Sequence, residues 1–171
     1  MKASFLFVAV ALLAQGTNPD FTGRWEIDKS ASTAKTTFVK HPELHGPPAP
    51  IAAEGHAFDT MRPQTIAHRE PTLTIADEAE GNRPRRTFKL TTDGKPNVNE
   101  LPGGGVQRSS TRWEGKDLVT DWTFDREGQV IMQGTDRRTL SEDGLRFTQE
   151  QTVLTPLHET RSHMVWIRRN R

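Results

Sequence analysis

The chain has 171 residues, with 23 Lys and Arg against 22 Asp and Glu, 33% hydrophobic residues and no cysteine. It is long enough for one domain and hardly for two, and its near-neutral charge excludes a nucleic-acid binder, which needs an excess of cations to neutralise phosphates, and a polybasic membrane anchor. The lack of cysteine excludes disulfide staples and thiol chemistry, and the low apolar content excludes a helical bundle of this size, which needs longer apolar stripes than strands with one polar face do.

In chain order, Met1-Lys2 supplies a positive start, Ala3 to Ala14 an apolar run, and Ala14-Gln15-Gly16 a small-x-small cleavage site. This is the layout of a secretory signal peptide over residues 1–16, ahead of one domain over residues 17–171, and it predicts an exported protein, periplasmic or secreted. The run is too short to span a bilayer and ends at polar Gln15, Thr17, Asn18 and Asp20, so no transmembrane segment is predicted in the mature protein. No lipobox cysteine is present to carry a lipid anchor. Loss of Lys2 leaves 23 − 1 = 22 cations against 22 anions, a formally neutral domain.

Phe21 to Asp28 alternates cleanly, with Phe21, Gly23, Trp25 and Ile27 on one face and Thr22, Arg24, Glu26 and Asp28 on the other, which predicts a half-buried first strand. The pattern then fails over residues 30–62, which hold Pro42, Pro47, Pro48 and Pro50. Proline removes ladder donors, so this stretch reads as a long loop or lid, with a short helical turn near Ile51 to Phe58. Regular strands follow: Gln64 to Arg69, Thr72 to Asp77, Arg85 to Thr92, Val106 to Trp113, Leu118 to Phe124, Gln129 to Leu140, Leu145 to Thr155 and Leu157 to Arg168. Asp93-Gly94, Glu114-Gly115-Lys116, Arg126-Glu127-Gly128 and Glu142-Asp143-Gly144 separate them, with glycine where tight hairpins need a positive φ. Successive short turns make each strand antiparallel to the last, and a sheet of eight to ten strands hides its edges by closing. The expected fold is all-β: an antiparallel up-and-down barrel with a long Pro-rich loop after its first strand.

Phe21-Thr-Gly-Arg-Trp25 carries a Gly-x-Trp element, followed in order by Thr92 to Lys95 (Thr-Asp-Gly-Lys), Trp113 to Lys116 (Trp-x-Gly-Lys) and Leu140 to Gly144 (Leu-Ser-x-Asp-Gly). With these elements the chain resembles small exported bacterial proteins with a lipocalin-like, calycin-type domain. The resemblance implies that Trp25 closes the barrel bottom and that Arg168 or Arg169, from the last strand, lies across it.

Strand parity gives the candidate interior. Leu118, Thr120, Trp122 and Phe124 share a face, as do Leu145, Phe147, Gln149, Gln151 and Val153, then Gln107, Ser109, Thr111 and Trp113, and finally Val130, Met132, Gly134, Asp136, Arg138 and Leu140. Each set mixes apolar ends with polar middles, so the interior is expected to be partly polar. Arg138, Gln149, Gln151, Thr111 and Trp122 are the candidate ligand-binding residues, able to meet a carboxylate or other polar head; internal pairing of Arg138 with Asp136 or Glu150 is the alternative.

No catalytic group stands out. Nucleophile motifs are missing, Gly103-Gly104-Gly105 lacks the Lys-Ser/Thr of a phosphate cradle, and His158 and His163 fall on opposite faces of a strand. His41, His45 and His56 lack metal-ligand spacing on a regular element, so neither a metal nor a cofactor is expected. The leading functional expectation is an exported binding protein, not an enzyme, holding a small amphipathic or hydrophobic molecule inside the barrel. An interaction module with a filled barrel, and a barrel enzyme of isomerase or cyclase type built around Arg138 or His158, are the alternatives. The identity of the ligand and the oligomeric state stay open at this level.

Overall fold

The computed structural model describes residues 18–46, 58, 61–102 and 104–169. The signal peptide expected over residues 1–16, most of the helical turn expected at 51–58, and His56 lie outside the described residues. The described chain forms eleven strands: β1 (Gly23–Ile27), β2 (Thr33–Phe38), β3 (Gln64–Arg69), β4 (Thr72–Asp77), β5 (Thr87–Thr91), β6 (Asp93–Leu101), β7 (Gly105–Glu114), β8 (Asp117–Arg126), β9 (Gln129–Leu140), β10 (Arg146–Leu154) and β11 (His158–Arg169). Every pairing is antiparallel, and the sheet runs β5-β4-β3-β1-β11-β10-β9-β8-β7-β6, with β2 continuing beside β11 where β1 stops.

The eleven strands exceed the eight to ten expected, and two of them, β2 and β6, are not among the nine delimited from the sequence. The stretch 30–62 is not all loop: Thr33–Phe38 pairs with His158 to His163 of β11. All six of its side chains are exposed, so it shows no apolar alternation. Asp93-Gly94, expected as a turn, are the first two residues of β6, whose Pro96 sits beside a bulge at the end of the sheet, where a missing N–H is tolerated. Leu145, placed on an inward face by parity, lies in the β9–β10 turn and is exposed.

The ends of the sheet meet at β5 and β6, where a side chain stands in for a backbone ladder. Asn99 accepts from the Lys89 N–H at 2.7 Å and donates to the Lys89 carbonyl at 3.1 Å, the two bonds a facing peptide group would make. The barrel is therefore nearly closed, with an amide stitch at its seam.

One end is solid. Phe21, Trp25, Ile66, Leu73, Leu90, Leu118, Phe147, Met164 and Trp166 form a continuous buried cluster. Phe147 is its hub, with ring centroids 4.7 Å from Trp25, 5.6 Å from Phe21 and 5.7 Å from Trp166. Each such side chain contributes about 1.5–3 kcal/mol by leaving water. Trp25 is 0% exposed, donates from Nε1 to the Phe21 carbonyl at 2.9 Å, and carries the Arg168 guanidinium 4.7 Å above its ring. Arg169 turns the other way and pairs with Glu26 at 2.9 Å, so Arg168 is the residue across the plug. Gly23 has φ +152°, a backbone conformation that side chains with a Cβ rarely adopt, which is why Gly precedes x-Trp on this strand.

Glu70, in the β3–β4 turn, ties this end together. It accepts from Trp113 Nε1 at 2.7 Å, Asn18 Nδ2 at 3.0 Å and the Thr92 hydroxyl, and so joins the N-terminal arm, β7 and the β5–β6 turn.

Candidate functional site

Above the aromatic plug the barrel is hollow. A cavity of about 240 Å³ is lined by residues of β3, β4, β5, β7, β8, β9, β10 and β11 together with Met61, Arg62 and Arg86 from connecting segments. Register explains its polar side. Leu118 of β8, Arg138 of β9 and Gln149 of β10 are cross-strand partners in one row, and Thr120, Asp136 and Gln151 form the next. Inward positions two residues apart on neighbouring strands thus bring Asp136, Arg138, Gln149 and Gln151 to one wall.

Arg138 is 7% exposed, yet its guanidinium is poorly satisfied. Its Nη2 lies 3.8 Å from Asp136 Oδ2, beyond hydrogen-bond length, and its Nε and Nη1 have no partner. Asp136 is engaged elsewhere: its Oδ1 accepts from Gln149 Nε2 at 2.8 Å and from Gln151 Nε2 at 2.7 Å. The two glutamines expected to offer donors to a ligand therefore turn a donor each onto Asp136, and among these four residues the donor nitrogens left with no partner are Nε and Nη1 of Arg138.

Of the remaining sequence candidates, Trp122 lines the cavity, and its buried Nε1 has no partner. It packs against Gly134, where a Cβ would come within 2.6 Å of the indole and 2.4 Å of the Thr152 carbonyl. Thr111 does not line the cavity. It is fully buried behind Thr120, bonded hydroxyl to hydroxyl at 2.9 Å, and Thr120 is the one that reaches the interior.

The opposite wall holds a second polar group that strand parity did not single out. Asp77 Oδ2 accepts from Arg62 Nη2 at 3.2 Å and from Arg86 Nε at 2.7 Å, while Arg62 Nη1 also donates to the Pro84 carbonyl at 3.0 Å. Arg62 Nε and the nearby Gln64 Nε2 are buried without partners. Gln64 and Asp77 are cross-strand partners at the ends of two strands correctly delimited by turn chemistry. Arg62 was hidden because it precedes Pro63, outside any alternating segment. Ile75, Phe88, Leu90, Met164 and Trp166 supply apolar surface between the two polar walls.

The described histidines are not among the residues that line this cavity. His158 stands edge-on to Phe38 at 5.8 Å, His163 pairs with Glu150, and His41 with Glu43 at 3.3 Å. Among the described residues no group of His, Asp and Glu is arranged to hold a metal, and no helix is long and apolar enough to cross a membrane.

No protein-family model matches the sequence, and a search of curated proteins found no match. Solved structures do match. A REP1-NXSQ fatty acid transporter superposes with a TM-score of 0.54 at 9% identity, over 88% of this chain and 97% of that chain. A point variant of that transporter gives 0.53 at 9% identity, over 88% and 98%. A mutant of the fluorescent protein UnaG gives 0.45 at 13% identity, over 64% and 72%. At such identities the likeness to the transporter is one of fold: this chain is a nearly closed antiparallel barrel of the lipocalin-like, calycin type.

Proposed function

We propose that this protein is an exported, non-enzymatic carrier that holds a small amphipathic molecule in its barrel, with an acidic or otherwise acceptor-bearing head against Arg138. One observation carries the reading: a buried guanidinium beside an open cavity, with two donor nitrogens unspent and its nearest carboxylate beyond bonding distance. A buried cation without acceptors is costly, and a ligand carboxylate on Arg138 removes that cost with short, charge-assisted bonds. The apolar stretch from Ile75 to Trp166 suits the remainder of such a molecule. The fatty acid transporters that share the fold favour the same kind of cargo.

The signal-peptide layout of residues 1–16 supports export. The stretch after β2 supports a cover over one barrel end: Val39 and His41 donate to the carbonyls of Leu157 and Pro156, and His45 to that of Val130, so the chain crosses the β10–β11 turn and reaches the start of β9. A filled interaction module fits less well, since the interior has room. The enzyme alternative loses one of its two candidates, because His158 is not among the cavity residues.

The test is calorimetric titration of the protein with octanoate, alongside mass spectrometry of whatever co-purifies. Saturable binding that Arg138→Met abolishes is the expected result. Absence of binding by octanoate and other small acids, with nothing co-purifying, would falsify the carrier reading.

A further inference from the structure

We infer that the ligand is a compact acid with two oxygen-bearing ends: a carboxylate on Arg138 and a second, uncharged acceptor at Arg62 and Gln64. This rests on the carrier reading and narrows it to a chemical class.

The first argument is an imbalance of donors. Among the described residues around the cavity, buried donors without partners are Nε and Nη1 of Arg138, Nε of Arg62, Nε2 of Gln64, and the indole Nε1 atoms of Trp122 and Trp166. Against them stands one unpartnered acceptor, Oε1 of Gln149. A carboxylate offers about four lone-pair positions, all at one place. Arg138 stands on β9 and Gln64 on β3, and the sheet order β3-β1-β11-β10-β9 puts three strands between them. A head group on Arg138 therefore leaves Arg62 and Gln64 unsatisfied, and a second acceptor at the far end of the ligand satisfies them.

The second argument is charge. Three cations line the cavity, Arg62, Arg86 and Arg138, against two anions, Asp77 and Asp136, so 3 − 2 = 1 positive charge is left over. One carboxylate balances it. A second carboxylate would bring an uncompensated charge into a partly buried site, so the second group is a ketone, hydroxyl or amide oxygen.

The third argument is size. A cavity of about 240 Å³ has room for a short acyl chain, whereas the far end of a long one would project from its mouth. Ile75, Phe88, Leu90 and Met164 supply the apolar surface that a short methylene spacer between the two ends requires.

Titration calorimetry on the full chain separates these claims with four probes: octanoate, the octanoate derivative bearing a ketone at its penultimate carbon, octanedioate and hexadecanoate. The keto acid is expected to bind about tenfold tighter than octanoate, as one well-placed hydrogen bond in a desolvated site would give. Octanedioate and hexadecanoate are expected to bind no tighter than octanoate. Gln64→Leu, or Gln64→Met should the leucine variant fold poorly, is expected to bring the ratio of keto acid to octanoate affinity down to about one. Arg138→Met weakens both. Equal affinity for the keto acid and octanoate, persistence of the preference in both Gln64 variants, or tightest binding by octanedioate or hexadecanoate overturns the two-ended ligand and leaves the carrier intact. If none of the four binds, the carrier reading falls and this inference with it.

Discussion

At the scale of single residues, the barrel separates side chains that hold it from side chains held in readiness. Trp25 and Arg168 belong to the first kind. Trp25→Ala empties the plug beneath Phe147 and is expected to cost about 3–5 kcal/mol, whereas Arg168→Met, which removes the cation above the indole and its hydrogen bond to the Asp20 carbonyl, is expected to cost about 0.5–2 kcal/mol. Urea unfolding of the two variants checks the ratio. Arg138 belongs to the second kind. Its charge is buried and weakly paired, and Asp136 keeps its bonds to Gln149 and Gln151 when Arg138 is gone. Arg138→Met takes away an unsatisfied buried cation but leaves the Asp136 carboxylate without its counter-charge, so it is expected to cost the unliganded protein clearly less than the about 3–5 kcal/mol of breaking a well-bonded buried pair. Thermal unfolding of the unliganded variant decides this. A strong loss of stability would mean that Arg138 is structural.

At the scale of elements, closure depends on a seam with no backbone ladder. In Asn99→Leu, the N–H and carbonyl of Lys89 lose the partners that Asn99 supplies at 2.7 and 3.1 Å, and a loss of about 1–3 kcal/mol is expected. Hydrogen exchange should show the Lys89 amide released well before amides in the β9–β10–β11 region. The plugged end of the barrel carries a pH-sensitive tie. Burial pushes the Glu70 carboxyl up, but hydrogen bonds from Thr92, Asn18 and Trp113 and the nearby His68 together hold it below the ordinary value of 4.5. A carboxyl depressed in the fold supports the folded state above the unfolded value of about 4.5, and that support is lost as pH falls through the lower folded value. Glu70→Gln is accordingly expected to lower stability at neutral pH and to flatten the acid limb of the stability profile, read as unfolding midpoints across that range.

Strands were legible wherever an element buries one face. β3, β4, β7, β8, β9, β10 and β11 follow the alternation and the glycine turns to within a few residues. β2 and β6 were not legible, because Thr33–Phe38 buries nothing and Asp93–Leu101 carries proline and asparagine at the seam. The same limit applies to the site. Parity placed Arg138, Gln149, Gln151 and Trp122 inside, but it could not reveal that the glutamines spend a donor each on Asp136, nor that Thr120 screens Thr111. Those facts depend on register between strands distant in sequence.

At the scale of the whole molecule, the interior is divided into a packed aromatic end and a hollow polar middle, and Ile75, Leu90, Met164 and Trp166 belong to both, closing the core on one side and lining the cavity on the other. A ligand present at a hundred times its Kd is expected to add about 2.7 kcal/mol to unfolding, and about 2–4 °C of Tm for each kcal/mol in a chain of this size. A thermal shift with octanoate in wild type, absent in Arg138→Met, is the check. The outer wall contributes differently. Arg112 and Arg137 bridge Glu114, Asp117 and Asp121 across β7, β8 and β9 and lie beside buried Val119. Most of these groups are well exposed, and such pairs are screened by water and salt, so the wall's stability rests more on covering Val119 than on the charges.

The amino-acid sequence by itself determined the all-β class, the antiparallel order and the inward and outward faces of most strands. Each of these follows from a period of two residues and from turns a few residues long, which are local properties of the chain. Tertiary structure alone decided that Asn99 closes the seam, that Arg62 and Asp77 face Arg138 across a cavity, and that Arg138 is left with unspent donors. Those depend on which residues meet after the sheet has curled through ten strands, and no local pattern carries that information.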